Sequence, residues 1–86
     1  CVSCKLMKMN TFSNQKSADF YNRTFINVSL NGEEGDGAVL AAKFQIRGYP
    51  TLIYLNKNGN PILYTAGYIK PRKFIEIGGV AVKKIK

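Results

Sequence analysis

The chain has 86 residues, of which 45% are hydrophobic and 12% aromatic; this composition predicts one folded domain and excludes wholesale disorder. The formal net charge of +8 indicates an acidic partner or a solvated surface, and nucleic-acid binding is disfavoured because no recognition motif accompanies the charge. Two cysteines are too few for a disulfide scaffold, and no apolar stretch approaches the roughly 20 residues of a membrane helix.

The chain begins with two predicted helices. Good helix formers fill residues 2–9, and three apolar side chains share one helical face: Val2, Leu6 and Met9. The sequence TFSN then interrupts the helix. A second helix is predicted over residues 15–24, with Ser13 or Asn14 as its capping residue.

The middle of the chain predicts a strand, a loop and a third helix. Residues 25–30 (FINVSL) alternate β-branched and aromatic side chains, which is typical of a strand. Residues 31–37 form a loop rich in glycine and acid, and its carboxylates lack the spacing of a calcium loop, which favours a solvated turn. Residues 38–46 predict a short helix with an apolar stripe.

The next segments predict a hairpin. Residues 51–57 are apolar nearly throughout, which indicates a strand buried on both faces. The Asn-Gly pair within residues 57–60 favours a tight turn. Residues 61–68 then form the returning strand, with Pro61 at its start.

A final helix is predicted from about Pro71 to the end of the chain. We expect it to stop, kink or fray at the adjacent Gly78 and Gly79, because glycine weakens helices. The aromatic side chains predict the core. The phenylalanines assigned to it are Phe20, Phe25, Phe44 and Phe74. The tyrosines predicted to be core or half-buried are Tyr21, Tyr54, Tyr64 and Tyr68.

The cysteine pair Cys1 and Cys4 forms a CxxC motif at a predicted helix start. A closed zinc site and an iron–sulfur cluster are disfavoured because both need more ligands than two thiols in a chain without histidine. Two interpretations remain. The thiols are inert core residues, or they are a redox pair in which the helix N-terminus and Lys5 favour a thiolate and the second thiol resolves a mixed disulfide.

The chain resembles the thioredoxin superfamily over essentially its whole length. The matching motifs are CVSCK at a helix start, RGYPT before a strand, the NGN hairpin and the closing Gly67. The likeness is greatest to exported bacterial thioredoxin-like disulfide reductases or isomerases. It implies an α/β thioredoxin fold, a three-layer α/β/α arrangement with a central mixed sheet, and a single thioredoxin-like domain over residues 1–86.

The resemblance also implies a role for each matching residue. Cys1 is the exposed nucleophile and Cys4 the more buried resolving thiol. The Tyr49–Pro50 bond is cis, with Pro50 packed beside the sulfurs and the Tyr49 backbone pairing with an extended substrate segment. The implied substrate-binding residues are Tyr49, Pro50, Thr51 and Gly67.

The implied activity is thiol–disulfide exchange with disulfide- or thiol-containing proteins, linked to an upstream electron donor or acceptor. The redox group is the Cys1–Cys4 disulfide itself, with no other cofactor, no metal, no nucleic acid and no membrane span. The implied location is the periplasm or cell envelope, with the cytoplasm as the alternative. A non-catalytic thioredoxin-fold module that binds a peptide in the same groove is the alternative function.

The chain departs from the family pattern in three ways. It has no tryptophan before the first cysteine, and Val-Ser stands between the cysteines, which leaves reductase, isomerase and oxidase open. The opening strand–helix–strand is absent, and with it the strand that normally lies between the segments 25–30 and 51–57. We expect residues upstream of Cys1 or a partner chain to supply that strand. The missing segment also carries a buried acid that none of the carboxylates here matches: Asp19, Glu33, Glu34, Asp36 and Glu76.

Overall fold

A computed structural model describes residues 2–85. The described elements, in chain order, are α1 (Val2–Leu6), a π-helical segment (Met7–Phe12), α2 (Gln15–Thr24), α3 (Gly35–Lys43), β1 (Thr51–Leu55), β2 (Pro61–Ala66) and α4 (Pro71–Ile85). The α/β class agrees with the sequence prediction, but the sheet has two strands where three were expected.

The first helix buries a face other than the predicted one. Val2 is 77% and Met9 69% exposed, whereas Met7 and Thr11 are fully buried. Thr11 Oγ1 donates a hydrogen bond to the carbonyl oxygen of Ile69, and the Ile69 N–H donates to Met7 Sδ at 3.1 Å. The prediction was wrong because contacts with a segment distant in sequence decide which face is buried, and because the helix widens into π turns at Met7.

The second helix, α2, has the predicted bounds. Its capping residue is Asn14, whose Oδ1 accepts a hydrogen bond from the Ser17 N–H at 3.1 Å. This bond satisfies one of the N–H groups that a helix start leaves unpaired. The interruption predicted at TFSN is confined to residues 13–14, because the π-helical segment continues to Phe12.

The core lies where α2, α4 and the hairpin meet. Tyr21 stacks on Phe74 with 3.8 Å between ring centroids and donates a hydrogen bond to the Phe74 carbonyl oxygen at 2.7 Å. The Tyr54 hydroxyl lies 2.7 Å from that of Tyr21 and therefore donates to it. Phe44, which we predicted in the core, lies outside this cluster. The buried apolar residues of the core are Met7, Tyr21, Tyr54, Ile69, Phe74 and Ala81, with Phe20 and Phe25 partly buried against them.

The last helix, α4, runs unbroken through both glycines, so the expected stop was wrong. Gly78 is buried, and a Cβ there would lie 2.7 Å from the Phe20 ring and 2.9 Å from the Tyr21 hydroxyl. Gly78 thus allows α2 and α4 to approach closely. The packing that this permits offsets the roughly 0.5–1 kcal/mol that glycine costs a helix.

The strands β1 and β2 form an antiparallel hairpin in which Thr51 lies opposite Ala66 and an irregularity follows Tyr54. Both strands are shorter than predicted. We expected β1 to be buried on both faces, but Tyr54 is its only buried residue. Among residues 2–85 no third strand pairs with the hairpin, so its free edge and faces stay partly open.

The turn of the hairpin confirms the prediction from Asn-Gly. Gly59 has a φ of 81°, which is the left-handed region that glycine adopts without steric cost. The Oδ1 of Asn56 accepts hydrogen bonds from the N–H groups of Asn58 and Asn60, at 2.9 and 3.0 Å.

Residues 25–30 form no strand, which corrects the sequence prediction. Ile26 is 98% and Val28 75% exposed. A strand needs a neighbour to pair its N–H and C=O groups, and no strand lies beside this segment in the described part of the chain. The helix α3 also begins earlier than predicted, within the glycine- and acid-rich segment, and Gly37 is its only buried residue.

Candidate active site

One end of the hairpin brings together three of the residues that the resemblance implied. The Tyr49–Pro50 peptide bond is cis, as expected. The Pro50 carbonyl oxygen accepts a hydrogen bond from the Gly67 N–H at 2.8 Å, directly beyond the paired residue Thr51. Gly67 has a φ of 87°, so the chain leaves β2 through a conformation that favours glycine.

Tyr49 joins this group to the segment before α3. Its hydroxyl donates a hydrogen bond to the carbonyl oxygen of Gly32 at 3.1 Å. The side chain is 41% exposed, so part of the ring faces solvent beside Pro50. The sequence did not indicate Gly32 as part of the site.

Thr51 faces the loop that precedes it. Its Oγ1 donates a hydrogen bond to the Gly48 carbonyl oxygen at 2.6 Å, which closes the turn around the cis bond. A groove of about 340 Å³ lies beside Thr51, between this loop and β2. Its lining residues are Phe44, Gln45, Ile46, Arg47, Gly48, Thr51, Tyr64, Thr65 and Ala66.

Cys4 lies on α1, is half-buried and is disulfide-bonded. Lys5 follows it, exposed, and the first turn of α1 carries no acid. Cys1, the only other cysteine of the sequence, lies outside the described residues. Its predicted exposure and its role as nucleophile therefore remain predictions, as does the packing of Pro50 beside the sulfurs.

The helix that carries Cys4 is tied to the hairpin end through Ile69, two positions after Gly67 in the sequence. Ile69 donates one hydrogen bond to Met7 and accepts another from Thr11, and these two bonds anchor the π-helical segment there. Sequence reasoning missed these residues, since an isolated threonine in a predicted helix gives no sign of a partner 58 positions away.

No group of three or more histidine, cysteine, aspartate or glutamate side chains within residues 2–85 could hold a metal ion. No helix among these residues is long and apolar enough to cross a membrane.

Comparison with known proteins gives one matching family and several relatives. The Thioredoxin-like domain family matches residues 1–79. The chain is 27% identical over 79 residues to the thiol:disulfide interchange protein DsbD of Yersinia pestis (strain Pestoides F), an alignment that covers 88% of this chain and 13% of that protein. It is 34% identical over 68 residues to protein disulfide-isomerase 1 of Caenorhabditis elegans, covering 78% of this chain and 13% of that protein.

A further relative is the thiol:disulfide interchange protein DsbD of Haemophilus influenzae, 30% identical over 63 residues, which cover 72% of this chain and 11% of that protein. The chain thus spans only 11% to 13% of the length of these curated relatives. The family match, in contrast, extends over most of the chain, from the CxxC motif into α4. The chain therefore belongs to the thioredoxin-like domain family, and its helices and two-stranded antiparallel sheet form an incomplete thioredoxin fold.

Proposed function

We propose that this domain is a thiol–disulfide oxidoreductase that acts on protein disulfides through Cys1 and Cys4. The observation that carries the proposal is the disulfide-bonded Cys4 on the first helix of a thioredoxin-like domain. The names of the relatives, thiol:disulfide interchange protein and protein disulfide-isomerase, support the same class of reaction.

The reduced form acts in two exchange steps. The thiolate of Cys1 attacks one sulfur of a substrate disulfide, which forms a mixed disulfide and releases the other substrate sulfur as a thiolate that takes up a proton. The thiolate of Cys4 then attacks the Cys1 sulfur, which releases the second substrate sulfur and leaves the Cys1–Cys4 disulfide. Two electrons pass from the dithiol to the substrate, and a dithiol donor must return them before the next cycle.

The substrate segment binds at the hairpin end. An extended polypeptide that runs past Tyr49 and Pro50 gains affinity from main-chain hydrogen bonds and needs few specific side chains. The partly exposed ring of Tyr49 and the turn closed by Thr51 suit such a segment. The proposal includes the exported location that the sequence resemblance implies, the periplasm or cell envelope, where protein disulfides are formed and exchanged.

The proposal is tested by disulfide reduction assays on the full chain with insulin as substrate and dithiothreitol as donor. We expect Cys1→Ser to reduce turnover to the background rate, because it removes the attacking thiolate. We expect Cys4→Ser, first reduced and then mixed with insulin without dithiothreitol, to accumulate the mixed disulfide, because the second step is lost. Ser3→Ala, which lies between the cysteines, is the matched control and keeps both steps.

A titration of the Cys1 thiol by alkylation rate against pH gives an independent measurement. An oxidoreductase requires an apparent pKa below the free value of about 8.5, because only the thiolate attacks. An unshifted pKa, together with equal rates for the wild type and Cys1→Ser, would show a binding module that keeps the fold without the chemistry.

A further inference from the structure

We infer that Gly32 is a positioning residue of the proposed polypeptide-binding site at Tyr49 and Pro50, and that it acts through the side chain of Tyr49. This inference rests on the proposed function, since it concerns how the proposed site holds its substrate. The observation that carries it is a contact between the turn before α3 and the residue that precedes the cis bond, 17 positions apart in sequence.

The contact has two parts. The Tyr49 hydroxyl donates to the Gly32 carbonyl oxygen at 3.1 Å, and the Tyr49 ring lies against the Gly32 Cα. A Cβ at position 32 would overlap both the ring and the hydroxyl of Tyr49. Every other residue type would therefore push the ring out of its place.

The backbone itself does not require glycine at this position. Gly35, Gly59 and Gly67 have positive φ values, and Gly32 is not among them. Glycine is needed at position 32 because the Tyr49 side chain occupies the place of a Cβ, so a change at Gly32 acts on the position of Tyr49.

The turn that presents Gly32 is held in place on its other side. The Asn31 Oδ1 accepts a hydrogen bond from the Glu33 N–H at 2.9 Å, and the Asn31 carbonyl oxygen accepts one from Glu34 at 3.3 Å. The buried Gly37 packs against the same carbonyl group. The hydroxyl of Tyr49 is thus anchored to an ordered turn.

This arrangement has a consequence for binding. A side chain that is already held in one position loses less conformational freedom when a partner packs against it. A polypeptide that passes Tyr49 and Pro50 contacts the held ring, whereas a small disulfide reacts at the sulfurs without that contact. Gly32 should therefore affect the KM for a polypeptide substrate and leave the kcat nearly unchanged.

The experiment compares Gly32→Ala and Tyr49→Phe in the full chain on two substrates, insulin and a small aromatic disulfide. We expect both variants to raise the KM for insulin about two- to tenfold, the range for releasing one ordered side chain. For Gly32→Ala the kcat for insulin and the rate with the small disulfide should stay at wild-type values. Gly79→Ala is the matched glycine control, since a Cβ there meets nothing within 4 Å.

A double-mutant cycle separates an effect through Tyr49 from a general loss of stability. In the background of Tyr49→Ala, Gly32→Ala should have no further effect on the KM for insulin. Additive effects, or a lowered melting temperature with an unchanged KM, would overturn the inference.

Failure of the proposed function is distinguishable from failure of the inference. Absence of wild-type turnover on both disulfides overturns the proposed function. The same variants are then compared by the fluorescence anisotropy of a labelled extended peptide. The inference is supported if Gly32→Ala binds the peptide more weakly than the wild type, and if adding Gly32→Ala to Tyr49→Ala weakens binding no further. Equal binding by the wild type and Gly32→Ala contradicts it.

Discussion

The described chain has two regions that differ in packing although both are rich in apolar residues. In the compact region, residues 2–24 and 51–85, the aromatic rings of Tyr21, Tyr54 and Phe74 interlock through a stack and two hydrogen bonds. In the open region, residues 25–50, Gly37 is the only buried residue. Apolar sequence is therefore not sufficient for burial, because a segment also needs a neighbour of complementary shape.

The open region is attached to the compact region at its two ends. At its start Phe25 packs against the core, and the Asn27 Nδ2 donates a hydrogen bond to the Tyr21 carbonyl oxygen at 2.9 Å. At its end the Pro50 carbonyl oxygen accepts a hydrogen bond from the Gly67 N–H at 2.8 Å. Individual hydrogen bonds contribute about 0.5–1.5 kcal/mol each, much less than the burial of an aromatic ring.

The largest difference between the regions should appear on truncation of an apolar side chain. We expect Phe74→Ala to lower the free energy of unfolding by about 3–5 kcal/mol, because it removes a buried ring and leaves a cavity. We expect Ile26→Ala, whose side chain is 98% exposed, to change it by less than about 0.5 kcal/mol. Urea denaturation of the full chain measures both. Equal losses would show that residue 26 is covered in solution and that the two regions do not differ as described.

The two adjacent glycines of α4 should respond in opposite ways to alanine, because only one of them is packed against α2. We expect Gly78→Ala to lower the free energy of unfolding by about 1–3 kcal/mol, because the added methyl group overlaps Phe20 and Tyr21. We expect Gly79→Ala to raise it by about 0.5–1 kcal/mol, because a Cβ there meets nothing within 4 Å and alanine favours the helix. Thermal melts followed by circular dichroism measure both. A stabilising Gly78→Ala would mean that α2 and α4 pack less closely than in the structure.

The tyrosine pair predicts how the compact region responds to pH. Burial raises the pKa of Tyr21 and of Tyr54 above the ordinary value of 10.0. Below pH 10 both tyrosines are protonated in the folded and in the unfolded chain, and their full contribution to stability is present. Above it the unfolded chain loses protons first, so the free energy of unfolding falls by up to about 1.4 kcal/mol per pH unit for each tyrosine.

This pH dependence is measured by urea denaturation between about pH 9 and 11. Tyr54→Phe is the informative variant, since it removes one of the two ionising groups and should make the fall less steep. If the free energy of unfolding falls as steeply in Tyr54→Phe and in Tyr21→Phe as it does in the wild type, the pH dependence comes from groups outside this pair.

Sequence reasoning succeeded where the determining interactions are local. The bounds of α2, its Asn14 cap and the Asn-Gly hairpin turn depend on residues within one turn of each other. The cis bond before Pro50 and the place of Gly67 beside it came from the resemblance to a known family, not from local pattern.

Only the tertiary structure decided which surfaces are buried and which residues meet at the site. The alternation in residues 25–30 predicted a strand, but pairing requires a neighbouring strand that residues 2–85 do not provide. The Gly-Gly pair predicted a helix end, but the approach of Phe20 and Tyr21 to Gly78 favours a continuous helix. The partners of Thr11 and Gly32 lie 58 and 17 positions away, and such contacts depend on three-dimensional proximity that local sequence does not reveal.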